Sequence, residues 1–261
     1  MCHHEPVTGV RVSRVRLDQL IVERGLAESR SRAQALLIGG KVRVGDGDAA
    51  RFDRKPGDLV GSDVAIEVAQ PEPYVSRGGH KLAAALDAFG VDPAGRICLD
   101  VGASTGGFTD VLLQRGAIRV YAVDVGRGQL SEALRRDSRV ISLERTNARN
   151  LTQSSLPEPV SLASVDVSFI SLRLVLAPIA STFGAEGGDL IPLVKPQFEA
   201  GRGETNAGVV RDPVIHERVL REVDAAARAA GLEPLASIPS PILGPEGNRE
   251  FLLHLLVPRA A

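Results

Sequence analysis

Lysine and cysteine are both scarce in this chain of 261 residues. Four lysines (Lys41, Lys55, Lys81, Lys195) stand against 27 arginines. The two cysteines, Cys2 near the start and Cys98 inside an apolar run, make neither a disulfide framework nor a spaced zinc site. A reducing compartment is expected and no metal is expected. No segment reaches the roughly 18 uninterrupted apolar residues of a spanning helix. The opening MCHHEPVTGVRV lacks the apolar core of a signal peptide, so the expected location is the cytoplasm, away from membranes.

Against that scarcity, the stretch LIPLVKPQFE ends an apolar run on Lys195. Arginine stays charged in any protein environment, whereas a desolvated lysine gives up its proton and can then act as a base. The choice of lysine here therefore has a chemical reading as well as a compositional one.

With 44% hydrophobic and 24% charged residues, the chain reads as a globular protein with a large domain and room for a small one. A net charge of -1 hides an asymmetry. Eight basic and three acidic residues lie between Arg11 and Arg43, a local balance of +5 on an otherwise acidic chain. Such a block suggests a polyanion-binding module joined to something else.

Within that block, Leu17, Leu20 and Ile21 recur at helical spacing until Gly25. Ser29 offers a cap for a second helix that carries Ala33, Leu36 and Leu37 and ends at Gly39 and Gly40. Lys41 to Val44 alternates as a strand before a GDGD turn. Arg30 and Arg32 fall in the first turn of the second helix, where the helix dipole disfavours positive charge, and an anionic partner would resolve the conflict. Composition alone leaves open that these arginines form a solvated face. The stretch RLDQLIVERGLAESRSRAQALLIGGKVRVGD, however, resembles an S4 domain, a small α+β RNA-binding module. That resemblance implies Arg14, Arg16, Arg30, Arg32, Lys41 and Arg43 as RNA-binding residues.

The expected domains are a flexible N-terminus over 1–12, the S4-like domain over 13–70, a linker over 71–77 and a second domain over 78–261. In the linker, Tyr74, Val75, Ser76 and Arg77 bridge the two domains, a position suited to coupling RNA docking to completion of a cofactor site. From Arg96 onward apolar strands alternate with amphipathic helices. RICLDVG, VYAVDVG, VISLER, SLASVDVSF and GDLIPLVK read as strands, and Pro213 to Ala230 as a long helix. The pattern predicts an α/β, Rossmann-like, mostly parallel sheet. LASIPS and FLLHLLV have no helix between them and are expected as an antiparallel pair at one edge.

LDVGASTGGFTD lies between the first strand and first helix of this domain, where such sheets bind ligands. A dinucleotide fingerprint needs GxGxxG, and the second glycine, which lets a pyrophosphate approach, is absent after Gly102. DxGxxxG instead matches the loop of S-adenosylmethionine (SAM) methyltransferases and points to Asp100, Gly102, Ser104, Thr105, Gly106 and Gly107 as cofactor residues. Asp124 ends the next strand at a spacing suited to accept hydrogen bonds from a ribose diol. Asn147 is placed either to meet the adenine edge or to cap its own loop.

Four charged residues remain: Lys81 in RGGHKL, Asp166 in ASVDVSFISL, Lys195 in LIPLVKPQFE and Glu250 in GPEGNREFLLHL. Strand ends near the switch point of an α/β sheet converge on one cleft. YVSRGGHKL, LDVGASTGGFTDVLLQ, VDVSFISL, VKPQFE, GVVRDP and GNREFLLHL together resemble the TlyA family, a branch of FtsJ-like ribosomal RNA 2′-O-methyltransferases with an N-terminal S4 domain. The resemblance implies Lys81, Asp166, Lys195 and Glu250 as a catalytic tetrad, SAM as cofactor, and cytidine in 16S and 23S RNA as substrate. It also implies ribosomal RNA in the small subunit, and in the large as well, as partner. The protein is expected to act as a monomer.

A ribose hydroxyl is a poor nucleophile, so transfer benefits from a positioned base and a collinear approach. Lys195 is the expected base, tuned by a neighbouring cation such as Lys81 and oriented by the carboxylates. Glu199 and His80, close in sequence, are read as solvated or supporting residues. Two rival readings are a non-catalytic RNA-binding or assembly factor and a membrane-acting haemolysin, the second requiring an amphipathic or spanning segment. A dehydrogenase is disfavoured by the missing glycine.

Overall fold

The computed structural model describes residues 13–47, 50–69, 72–201 and 203–260. The expected flexible segment 1–12, with Cys2 and Arg11, lies outside the described residues, as does Pro71 of the expected linker. The chain divides into two compact units, Met1–Pro71 and Glu72–Ala261.

In the first unit, β1 (Arg14–Arg16) runs directly into α1 (Leu17–Glu23), followed by α2 (Arg30–Ile38), β2 (Val42–Val44), β3 (Leu59–Gly61) and β4 (Ile66–Val68). Ser29 caps α2 by accepting the Arg32 N–H at 3.2 Å, as its position predicts. The strands form two antiparallel ribbons, β1 with β3 and β2 with β4. Leu17, Leu20, Ile21, Ala33, Leu37, Val42, Val44 and Val60 share one small core. Three-residue strands such as β1, β3 and β4 are too short to show a period-two pattern in the sequence.

The second unit begins with α3 (Gly78–Phe89) and continues through β5 (Ile97–Val101), α4 (Gly107–Gln114), β6 (Arg119–Val123), α5 (Glu132–Arg136), β7 (Val140–Leu143) and β8 (Leu162–Val165). After α6 (Leu176–Ala180) come β9 (Gly188–Val194), α7 (Pro196–Glu199), α8 (Pro213–Ala229), β10 (Glu233–Pro239) and β11 (Phe251–Val257). The sheet order is β10-β11-β9-β8-β5-β6-β7. The five strands from β9 to β7 are parallel, and β11 is antiparallel to both of its neighbours.

Two apolar layers sandwich this sheet. One gathers Leu176 and Ile179 of α6 with Val219, Val223 and Ala227 of α8. The other gathers Leu82 and Leu86 of α3, Val111 and Leu112 of α4 and Leu134 of α5. In α8 the buried residues recur every three or four positions, Pro213 occupies the first turn, and the Asp212 side chain accepts the Val214 N–H. The stretch from Leu172 to Phe183 is not one helix but a 3₁₀ turn over Leu172–Leu174 followed by the short α6. Pro178 falls within α6 and supplies no N–H to extend an upstream turn.

The chain order places the switch point at β5, since β6 adds on one side and β8 on the other. The carboxyl ends of β5, β6, β8 and β9 thus open onto one edge, where ligands of such sheets bind. The antiparallel register sets Phe251 opposite Val194, so the residue preceding β11 meets the residue following β9 at that same edge.

Candidate active site

The loop after β5 turns sharply at Gly102, whose φ of +84° is open to glycine. A methyl group there would also overlap the Asp166 carbonyl, so the ends of β5 and β8 can touch only without a side chain. The N–H groups of Gly102 and Ala103 both bond to Val123 O, and that of Gly106 bonds to Ala103 O. The Ser104 N–H donates to Asp124 Oδ2 at 2.8 Å. With these groups bonded inside the chain, the loop does not offer the open row of N–H donors that cradles a pyrophosphate.

Asp100, expected to contact cofactor, is fully buried beneath this loop. Its carboxylate accepts the Thr109 hydroxyl at 2.7 Å and the Ser164 hydroxyl at 3.1 Å. Burial pushes the carboxyl up to about 6, opposed by these two hydrogen bonds. Asp124 accepts a second N–H, from Gly126 at 2.7 Å, which fixes its carboxylate plane. Asn147 accepts the Arg149 N–H and caps a short 3₁₀ turn, and it also lines the adjacent cleft. The loop-capping reading is thus the one observed.

Two clefts open at this edge. One, of about 400 Å³, is lined by Gly102, Ser104, Asp124, Gln129, Thr146 and Asn147, among others. The second, of about 700 Å³, is lined by Lys81, Lys195 and Glu250. Gly102, Ser104, Asp166, Ser168 and Phe169 border both, so the clefts share a wall. Thr105 and Gly107 face the larger cleft, and Gly106, with a φ of +100°, packs against Leu130 and Leu134.

All four tetrad residues come together in the larger cleft, as two ion pairs. Lys195 Nζ lies 2.6 Å from Asp166 Oδ1 and donates to Ser168 Oγ at 2.9 Å. Asp166 Oδ1 is shut off from solvent and meets the ammonium as an ion pair without a well-directed hydrogen bond. Lys81 Nζ donates to Glu250 Oε2 at 2.5 Å, and both side chains are buried. The immediate charged neighbour of Lys195 is thus a carboxylate rather than the expected cation. Glu199 is likewise not solvated: it is buried, accepting Ser171 Oγ–H and the Leu172 N–H, each at 2.6 Å. Burial raises its pKa. His80 stands aside, bonded to Glu72 and edge-on to the Tyr74 ring.

Three features escaped the sequence reading. Phe169 is 91% exposed, adopts a φ of +63° and packs on Phe198 at 5.0 Å between ring centroids. An exposed aromatic held in the left-handed region at a cleft rim is a site of tolerated strain. Asn248 is buried, accepting the Val210 N–H and donating to Gly208 O, so it ties two loops that wall the larger cleft. The third is the packing of the residues before α3. Tyr74 lies against Gly79, where a methyl group would strike its ring, and the Val75 N–H donates to Asp110 at 2.8 Å. Ser76 and Arg77 line the cleft, and Arg77 reaches Leu243 O at 3.4 Å.

In the first unit, Arg14, Arg32 and Lys41 are exposed, and Arg43 pairs with Glu67 at 3.1 Å. Arg16 and Arg30 are exposed but both bond Asp18. The dipole conflict of Arg30 therefore has an anionic partner within the chain.

Among the described residues no helix is long and apolar enough to cross a membrane. The model of the FtsJ-like methyltransferase family matches residues 74–256 and that of the S4 domain residues 15–46. The 16S/23S rRNA (cytidine-2′-O)-methyltransferase TlyA of Mycobacterium tuberculosis is 47% identical over 93% of this chain and 90% of its own length. A solved structure from Streptococcus thermophilus, provisionally described as a hemolysin, is 43% identical, covers 95% of this chain and 90% of its own, and superposes with a TM-score of 0.72. A SAM-dependent methyltransferase structure from Listeria monocytogenes, 15% identical, shares the fold with a TM-score of 0.51 over 69% of this chain and 99% of its own. With the paired Lys and acidic side chains set beside the glycine loop, these likenesses show that the chain belongs to the TlyA family of FtsJ-like methyltransferases carrying an S4 domain.

Proposed function

We propose that this protein transfers a methyl group from SAM to cytidine 2′-hydroxyls of ribosomal RNA, acting as a monomer in the cytosol on the small subunit and on the large as well. The observation that carries the reading is the shared wall: the cleft holding both Lys–acid pairs borders the cleft holding Asp124. A donor in one and a ribose in the other would meet at Asp166 and Ser168.

The smaller cleft fits SAM. Its volume suits a nucleoside-sized ligand, and the loop that turns at Gly102 keeps N–H groups for itself, as a phosphate-free cofactor permits. Asp124, held by two N–H groups, has lone pairs left to accept a ribose diol, while Asn147 and Thr146 border the space for the base. Asp100 contributes by bracing the strand end. When bound, SAM supplies an activated methyl on a sulfonium.

The chain's own residues handle the hydroxyl. Lys195, with 12% of its side chain exposed, is the base: as the neutral amine it would take the 2′-hydroxyl proton when the methyl passes from the sulfonium to the oxygen. Asp166 and Ser168 hold its amine in place. The buried Lys81–Glu250 pair orients the ribose from the other side. Phe169 offers a face on which a base can stack. Arg14, Arg16, Arg30, Arg32, Lys41 and Arg43 bind the RNA backbone. Tyr74 to Arg77 couple docking to completion of the cofactor site in this reading; Ser76 and Arg77 line the larger cleft, which shares a wall with the smaller one.

The test is to incubate the protein with methyl-labelled SAM and each purified ribosomal subunit, then map the modified ribose. Label on a cytidine 2′-oxygen is expected. RNA binding without label in either subunit would favour the assembly-factor reading and overturn this one.

A further inference from the structure

Asp18 has no exposed surface, although it stands in the first turn of a surface helix. Arg16 grips it twice, Nε donating to Oδ1 at 3.1 Å and Nη2 to Oδ2 at 3.0 Å. Arg30 Nε and Gln34 Nε2, from α2, both donate to Oδ2 at 2.9 Å. Hydrogen bonds from Arg16 above all, with those of Gln34 and Arg30, hold the carboxyl far below the usual carboxylate range. The carboxyl is therefore ionised at neutral pH.

Apolar packing would join β1, α1 and α2 at least as well as a buried ionic cluster. What an apolar residue could not do is fix two guanidinium groups side by side. Because both bond one oxygen, Arg16 Nη2 and Arg30 Nε are no more than about 6 Å apart. Arg16 keeps three of its five N–H donors and Arg30 four, and the two side chains are 44% and 54% exposed. One phosphate can bridge two such forks, and their bonds to Asp18 already remove part of the rotamer freedom that binding would cost.

We infer that Asp18 is a positioning residue for RNA docking, its buried carboxylate fixing Arg16 and Arg30 as a rigid two-guanidinium clamp on a phosphate of the RNA backbone. The inference rests on the proposed docking of ribosomal RNA by the first unit. It assigns the clamp to two of the exposed arginines and gives a reason for a buried acid in a basic module.

The sign of one substitution separates this from simple charge. Asp18→Asn removes a negative charge beside two arginines, so counting charges alone predicts tighter RNA binding and a steeper salt dependence. Positioning predicts the opposite: binding of the full-length variant to isolated ribosomal subunits weakens about tenfold at roughly 0.15 M salt. SAM affinity stays at the parent value. Equal or tighter binding by Asp18→Asn, with Arg16→Ala and Arg30→Ala still weakened, would overturn the clamp. Full binding by the two alanine variants would overturn the docking role of these arginines as well. If Asp18→Asn does not fold, Arg16→Lys answers the same question, since it keeps the charge and loses the fork. A loss of about tenfold is expected, and unchanged binding would mean charge without geometry suffices.

Discussion

Lys195 and Asp166 stand at the carboxyl ends of neighbouring parallel strands, β9 and β8, with Nζ and Oδ1 2.6 Å apart. Neither is adjacent to the other in sequence, and the parallel register brings them together at the sheet edge. The carboxylate fixes where the amine points, which is the requirement for a base that must lie in line with a hydroxyl and a methyl donor.

Asp166→Asn keeps the shape of the side chain and removes the charge that holds the amine. The turnover number is expected to fall by about ten- to a hundredfold while SAM affinity changes little, since general-base positioning contributes factors of this size. Single-turnover rates together with calorimetric titration of SAM check both halves.

Asp124→Ala removes the acceptor of the Ser104 and Gly126 N–H groups as well as the proposed ribose contact. SAM affinity should weaken by about 2 kcal/mol, roughly thirtyfold, as expected for a charge-assisted hydrogen bond. Calorimetry measures it, and RNA binding by the first unit should be unaffected.

Asp100 sets a pH dependence of stability. Its carboxyl is raised to about 6 by burial, so between the unfolded value and 6 the folded chain binds the proton more tightly. Its contribution is therefore fully present below about pH 4 and lost as pH rises through 6, the reverse of an ion-paired aspartate. Asp100→Asn, which can still bond Thr109 and Ser164, removes this slope. The stability of the variant relative to the parent should rise by about 2 kcal/mol between roughly pH 4 and pH 7 in urea titrations.

Phe169→Ala should leave SAM binding intact and lower kcat/KM for ribosomal RNA by about 1–3 kcal/mol of stacking, whereas Phe169→Tyr should retain most activity. Methylation time courses on purified subunits distinguish the two variants.

The sequence made the second unit legible because its signals are local. Apolar strands such as ICLDV and helices with three- and four-residue spacing such as α8 announce themselves within a short window. Glycine, aspartate and lysine at strand ends then located the cleft. The pairing within it was not legible: Lys81 and Glu250 are 169 residues apart, and which lysine meets which acid depends on strand order and register. The same holds for Arg30, whose partner Asp18 belongs to another helix. Phe169 left no pattern, because a single exposed aromatic has no periodicity and its distinction is a backbone angle.

Whether Lys195 takes the hydroxyl proton is decided by Lys195→Arg in single-turnover methylation of ribosomal subunits at saturating SAM. Arginine preserves the ion pair with Asp166 and cannot act as a base at accessible pH. A rate at least about a hundredfold below the parent is expected, with SAM and RNA binding retained. A rate near that of the parent would contradict it and leave Lys195 as a salt-bridging cation only.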